Sequence, residues 1–151
     1  LNITDNDHQE IKTKINHYAP NCESYQKIKN VVDENGKGVY QGKIFVKDVA
    51  QKTNAYQLSK AIILSDKAEF DAKPELEIYA DDVKCSHGST SGSIDEDAIH
   101  YLMTRGIDKK TAKQLLINGF LNDVLDNISD KKIKQFLQHI LEGQINEHKK
   151  H

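Results

Sequence analysis

Hydrophobic and polar positions in this chain change period once, near residue 92. Before that point Ile11, Thr13 and Ile15 alternate with lysines and Asn16, the period of a strand with one buried face. Further strands are predicted over Tyr25 to Val32, Val39 to Lys47, Tyr56 to Leu64 and Leu76 to His87, with turns at Asp33-Glu34-Asn35-Gly36 and Ser65-Asp66. After it the period becomes helical. Ser93-Ile94-Asp95-Glu96 fits a capping box, and the helix it opens is expected to stop at Gly106. Asp108 is placed to cap a second helix with Ile107 and Ala112 as a staple, and Leu115, Leu116, Leu121 and Leu125 continue its apolar side. Ser129 is placed to cap a third, with Ile128 and Ile133 as its staple. Ile133, Phe136, Leu137, Ile140 and Leu141 then form one amphipathic stripe. The pattern divides the chain into a strand region, residues 1–92, and a helical domain, residues 93–151.

A weak repeat runs through the strand region. Tyr-Gln recurs at Tyr25-Gln26, Tyr40-Gln41 and Tyr56-Gln57, and Phe70-Asp71 falls near the next expected place. Units of strand plus turn at near-constant spacing fit a β-solenoid. An antiparallel meander with hairpins of similar length fits the spacing equally well. Within the last predicted strand, Leu76, Ile78 and Ala80 share one parity and Val83, Cys85 and His87 the other. Side chains alternate along a strand, so Asp81-Asp82 is expected to be a bend or bulge. Cys85 and His87 would then project the same way, roughly 7 Å apart at a rise of about 3.3 Å per residue.

Composition narrows the function. With 151 residues the chain supports one domain, and 37% apolar content in ordered segments argues against wholesale disorder. The longest apolar run, Ala61-Ile62-Ile63-Leu64, is too short for a spanning helix or a signal-peptide core. A net charge of −2 and a pI near 6.4 argue against nonspecific nucleic-acid binding. Cys22 and Cys85 are neither a disulfide framework nor a CxxC zinc pair, which points to a reducing, cytoplasmic compartment. The chain begins Leu1-Asn2-Ile3 and its one methionine is Met103, so it is expected to be an internal piece of a longer protein.

Candidate chemistry concentrates in one place. The segment Gly36 to Lys43 looks glycine-rich, but Lys37 stands where a phosphate loop needs glycine, Ile44 replaces the magnesium-holding hydroxyl, and a strand follows. A turn accounts for it better. Cys85-Ser86-His87-Gly88 offers a thiol and an imidazole on one strand face, suited to a soft metal, an iron–sulfur species or a Cys–His nucleophile. An incidental structural role is the competing reading, and spacing identifies no third ligand. His8, His17, His100 and His139 read as satisfied or solvent-facing, and His148 and His151 as part of a lysine-rich terminus. Cys22 reads as a turn residue, and the carboxylates from Asp71 to Asp82 as a solvated face. Helix 129–146 either packs within the chain or presents a docking surface.

Several ordered strings carry a family resemblance. They are Gly42-Lys43-Ile44, Ala50 to Gln57, Leu64-Ser65, Lys73-Pro74-Glu75-Leu76-Glu77-Ile78, Asp81-Asp82-Val83-Lys84-Cys85-Ser86-His87-Gly88, Asp95-Glu96 and Tyr101 to Ile107. Together, over about residues 17–140, they resemble the C-terminal core of the SufB/SufD family of iron–sulfur cluster assembly proteins, and the Cys-Ser-His-Gly segment resembles its SufD branch. The resemblance implies a mainly β chain: a right-handed parallel β-helix, truncated here, followed by a small C-terminal α-helical domain. It implies a noncatalytic scaffold in a cytosolic complex, pairing with a SufB-like subunit and docking a SufC-like ABC ATPase through the C-terminal helices. It also carries the family's functional histidine over to His87, a candidate metal ligand, with Cys85 as its neighbour. Both would contribute to a transient iron–sulfur cluster or iron held with a partner, and no tightly bound cofactor is expected in isolation.

The alternative is a SufB-like subunit, or a metal-dependent protein, that binds a cluster or iron by itself. Cutting a β-helix exposes strand edges, so a homodimer through the strand region is also expected. No membrane and no nucleic-acid partner is expected.

Overall fold

Seven strands followed by three helices make up the computed structural model, which describes residues 2–147. After the short β1 (Asn2–Ile3) come six ten-residue strands: β2 (His8–His17), β3 (Glu23–Val32), β4 (Lys37–Val46), β5 (Asn54–Ile63), β6 (Glu69–Ile78) and β7 (Lys84–Ser93). Even-numbered strands pair only with each other, in the order β2-β4-β6, and odd-numbered ones in the order β1-β3-β5-β7. Every pairing is parallel and in register along the whole strand, with His8 beside Lys37, Lys37 beside Glu69, Glu23 beside Asn54 and Asn54 beside Lys84. Parallel neighbours cannot be joined by hairpins. The chain therefore winds as a β-solenoid of about three turns, each made of one strand from either sheet, and the meander is excluded.

This register corrects two expectations. The Tyr-Gln spacing measures half-turns rather than turns: Tyr25 and Tyr56 stack on the outer face of one sheet, whereas Tyr40 is buried in the lumen of the other. Phe70 pairs with Gly38, and the partner of Tyr40 is Ala72, so Phe70-Asp71 is not a copy of the repeat. The stretch from Leu76 to His87 is not one bulged strand either. Asp81-Asp82 lies in a solenoid corner between β6 and β7, and that corner accounts for the change of parity.

Corner geometry repeats from turn to turn. Asn21 and Lys52 both adopt positive φ at equivalent corners, and backbone bonds stack one corner on the next: Asn21 N–H donates to Gln51 O, and Lys52 N–H to Asp82 O. Asp5 and Glu34 repeat the same conformation at the opposite corner, where the Asp5 N–H donates to the Glu34 carboxylate. A bulky β-branched residue would be strained at such a φ, and none of these four is β-branched.

Packing in the lumen is apolar at one end and polar in the middle. Ile44, Val46, Ala50, Ala55 and Ala80 form one buried cluster, with Leu76, Val83 and Cys85 against it. Tyr40, 1% exposed, shares a hydrogen bond of 3.1 Å with the Thr13 hydroxyl. Gly42 faces Gln57; a Cβ there would lie 2.6 Å from Gln57 Cδ and inside the contact radius of Gln57 Nε2 and Tyr40 Oη. Glycine is thus required at position 42 by close approach rather than by φ.

Three helices close the chain: α1 (Glu96–Thr104), α2 (Lys109–Asn122) and α3 (Lys131–Glu147), with a 3-10 turn over Asp123–Asn127. Asp108 caps α2 as expected, its Oδ1 accepting the Thr111 N–H at 3.0 Å, and Gly106 ends the α1 segment at φ 87°. The other two caps fall later than the sequence suggests. Asp95 caps α1, because Ser93 is still in β7, and Asp130 rather than Ser129 accepts the Lys132 and Ile133 N–H groups. The α2 core positions are Ala112, Ile117 and Leu121, with Leu125 buried in the turn; Leu115 is exposed. These helices dock on the outer face of the β3-β5-β7 sheet, where Ile117, Leu121 and Leu141 meet Val31, Ile62 and Leu64.

A charged clasp flanks that contact. Lys27 Nζ reaches the Asp123 carboxylate at 2.7 Å and the Asp123 carbonyl at 3.1 Å. Lys29, 7% exposed at its side chain, also pairs with Asp123, donates to the Phe120 carbonyl at 2.7 Å and lies 4.3 Å from the Phe120 ring centroid. Two lysines at the carbonyl end of α2 are favourably placed against its dipole.

Candidate functional site

Inward positions on the odd-numbered sheet form ladders, so the last turn inherits its geometry from the one beneath. Cys85 pairs with Ala55, His87 with Gln57, Ser89 with Ser59 and Ser91 with Ala61. The β5 members of these pairs are all buried. Their β7 partners are half-buried at Cys85 and exposed at His87, Ser89 and Ser91, because β7 is the last strand of its sheet. The expected same-face placement of Cys85 and His87 is therefore found, through register rather than through a bulge.

The two residues differ in surroundings. Cys85 packs on the Ile44–Val46–Ala55 cluster, and this burial pushes its thiol pKa up, partly opposed by a hydrogen bond with the Ala55 backbone. A raised thiol pKa disfavours the thiolate that a nucleophile or metal ligand requires. His87 has no such cover. It stands one turn beyond Gln57, which is 1% exposed and keeps its amide against Gly42. Among the described residues no three His, Cys, Asp or Glu side chains gather in a way that could hold a metal ion. A cluster or iron at His87 would therefore need ligands from elsewhere.

Other sequence candidates separate from this place. His17 is buried in the lumen, shares a hydrogen bond of 2.9 Å with Ser24 and has its pKa lowered by burial, so it is a satisfied core histidine. His8, His100 and His139 are exposed; His148 and His151 lie outside the described residues. Cys22 is a half-buried free thiol at a corner whose carbonyl accepts the Asn54 N–H. The Gly36–Lys43 segment is turn and strand, as expected. On α3 the apolar stripe splits: Leu137 and Leu141 turn partly inward, while Ile133 and Phe136 are 52% and 65% exposed and Ile140 is also open.

Among the described residues, both strands of the last turn also present a backbone edge with no strand partner. Glu69 N–H donates to Gly36 O and Tyr79 N–H to Val46 O, so odd-numbered β6 residues bond to β4. N–H direction alternates along a strand, which turns Phe70, Ala72, Pro74 and Leu76 to the free edge. Lys84 N–H donates to Thr53 O, so in β7 the edge-facing residues are Cys85, His87, Ser89 and Ser91. These edges were not legible from period alone. Pro74 was the available signal, since proline within a sheet is confined to positions where no ladder N–H is needed.

Comparison with known proteins bears on this arrangement. Residues 2–120 match the family model described as the SUF system FeS cluster assembly SufBD core domain. The chain is 40% identical over 124 residues to the iron–sulfur cluster assembly protein SufD of Escherichia coli, covering 82% of this chain and 29% of that protein. It is 44% identical over 114 residues to an iron–sulfur cluster assembly SufBD family protein of Synechocystis, covering 76% of the chain and 25% of the relative. SufD of Bacillus subtilis is 34% identical over 133 residues, covering 88% and 30%. The chain thus spans between a quarter and a third of the length of these three relatives.

Proposed function

This chain belongs to the SufB/SufD family of the SUF iron–sulfur cluster assembly system, and from that premise we propose that it is the SufD-type wall of a cluster-assembly interface. The observation that carries the proposal is the open last turn, where His87 continues a buried lumen ladder into solvent beside strand edges that no described strand pairs. A SufB-like subunit adds its strands to these edges and supplies the further ligands that the described residues do not gather. The nascent cluster, or its iron, is cargo held between the subunits, with the His87 imidazole as this chain's ligand. Cys85 supports that role mainly by packing, since its thiol is disfavoured as a thiolate. The protein performs no bond-making step of its own in this scheme; it orients a ligand and excludes water from one side.

Docking of a SufC-like ATPase falls to the helical domain. Ile133, Phe136 and Ile140 form an apolar row on α3 that the other described residues leave open, and such rows suit a partner's groove. The Lys27–Lys29–Asp123 clasp holds the helices to the sheet, so force applied to them reaches the solenoid.

His87→Ala in a reconstituted complex of the three subunits tests the site. Cluster yield measured by visible absorbance should fall at least tenfold, while the thermal melt and co-purification of the subunits stay unchanged. Unaltered cluster yield would remove His87 from the mechanism. Anaerobic reconstitution of this protein alone should give no stable visible chromophore; a stable one would favour the self-sufficient cluster binder instead.

A further inference from the structure

Four inward side chains in the middle of the lumen carry polar atoms with no hydrogen-bond partner among the described residues. They are Gln26 Nε2 and Asn30 Nδ2 on β3, and Gln57 Oε1 and Ser59 Oγ on β5. Gln26 is 8% exposed, Ser59 2%, and Asn30 and Gln57 1% each. A donor or acceptor sealed from solvent without a partner is costly, so native interiors satisfy such atoms with protein groups or with ordered water.

The chemistry of this set excludes most occupants. Both amide nitrogens only donate, the Gln57 side-chain carbonyl only accepts, and the Ser59 hydroxyl does both. No Asp, Glu, Lys or Arg stands at an inward position of β3, β4 or β5. Neutral donors and acceptors balance no ionic charge, so a buried metal ion or anion is disfavoured here. Water both gives and takes hydrogen bonds and matches the mixture.

Rotating the side chains does not remove the need. Gln26 and Gln57 are ladder partners about 4.8 Å apart, so their amides are near enough to meet. Asn30 and Ser59 are not partners: Asn30 pairs with Ala61 and Ser59 with Ile28, which sets them on a diagonal of about 8 Å. Side chains stand roughly perpendicular to a sheet, and those of Ser and Asn are short, so these two do not reach each other directly. Ala61, beside Asn30, is small and leaves the lumen wall recessed between them. A water oxygen about 2.9 Å from each group spans that gap.

We propose that Ser59 is the hub of an internal hydration site, a pair of waters that ties β3 to β5 on the lumen side of their sheet. The Asn30 amide donates to one water, which donates to Ser59 Oγ. The Ser59 hydroxyl donates to the other, which also accepts from Gln26 Nε2 and donates to Gln57 Oε1. Each orphaned atom then has a partner, and every donor faces an acceptor. The first and middle turns are thus linked through water inside the lumen, as the backbone ladder links them in the wall.

A high-resolution crystal structure of the protein tests the site directly. The expected result is solvent density within hydrogen-bond distance of Ser59 Oγ, bridging it to Asn30 or to the glutamine pair. A lumen with no solvent beside Ser59 overturns the proposal. In solution, magnetic relaxation dispersion of the water oxygen counts long-lived internal waters and is blind to exchanging hydroxyl protons. Ser59→Val removes the hydroxyl and fills its space, and should lower that count by at least about one water per molecule. A folded variant with an unchanged count overturns the proposal. Should Ser59→Val not fold, judged by circular dichroism, Ser59→Ala carries the same decision.

Discussion

Gln57 and His87 occupy the same ladder position one turn apart, and their contrast separates the sealed part of this molecule from the part proposed to act in assembly. In the middle turn, β4 and β5 are covered above and below, so Tyr40, Ile44, Ala55 and Gln57 are sealed. In the last turn the inward positions of β7 are Cys85, His87, Ser89 and Ser91, with described strand neighbours on one side alone. A solenoid gets its stability from contacts between adjacent turns, so a terminal turn is always the least buried. Function can be placed there with little effect on the rest of the structure.

Substitutions in the two turns should therefore differ most in stability. Ile44→Ala removes a fully buried side chain from the apolar lumen cluster and should cost about 2–5 kcal/mol in urea unfolding. Gly42→Ala acts by overpacking: the new methyl enters the space of the Gln57 amide and the Tyr40 hydroxyl, with an expected loss of about 1–3 kcal/mol. If both variants melt like wild type, the middle turn is not the stabilising unit, and the contrast with the last turn collapses.

A smaller effect should appear where the helices meet the sheet. The Asp123 carboxyl is held down to about 2, first by Lys27 and then by Lys29. A folded-state pKa below the unfolded one stabilises the fold above the unfolded value, here near 3.8, and the gain is lost as pH falls towards 2. The Asp123 side chain is 43% exposed, so solvent screening limits this to less than about 1 kcal/mol. Wild type and Asp123→Asn should differ in thermal midpoint at pH 5 and converge near pH 2. A difference that persists at pH 2 would assign the effect to packing instead.

Much of this was legible in the sequence, for identifiable reasons. Period-2 alternation placed most strands, because each has one face on the lumen, and strings around Lys73 to Gly88 carried the family. A change of parity looks alike whether it arises from a bulge within a strand or from a bend that starts a new turn, so the sequence marks the bend at Asp81-Asp82 but not that it divides Leu76 to His87 between two strands. The cap of α3 reads one residue early in the sequence, since Ser129 and Asp130 are both good caps and a register of one residue is not encoded by type alone. The clasp between Lys27, Lys29 and Asp123 joins residues more than ninety positions apart, and no local signal reports such a pair.

At the small end of the scale, His87→Ala should change unfolding free energy by no more than about 0.5 kcal/mol, as expected for an exposed side chain outside any cap, clasp or core. Its Gln57 counterpart, buried and fitted to Gly42, should not be so tolerant, and Gln57→Ala gives the matched comparison at one ladder position. A measured cost for His87→Ala equal to that of Gln57→Ala would mean the last turn is packed as tightly as the middle one. In that case His87 would be a structural residue and the assembly reading would lose its motive. A near-zero cost, combined with lost cluster yield in the reconstituted complex, would place the residue's contribution outside the fold of this chain. The remaining place for it is the contact with whatever adds to the open edge.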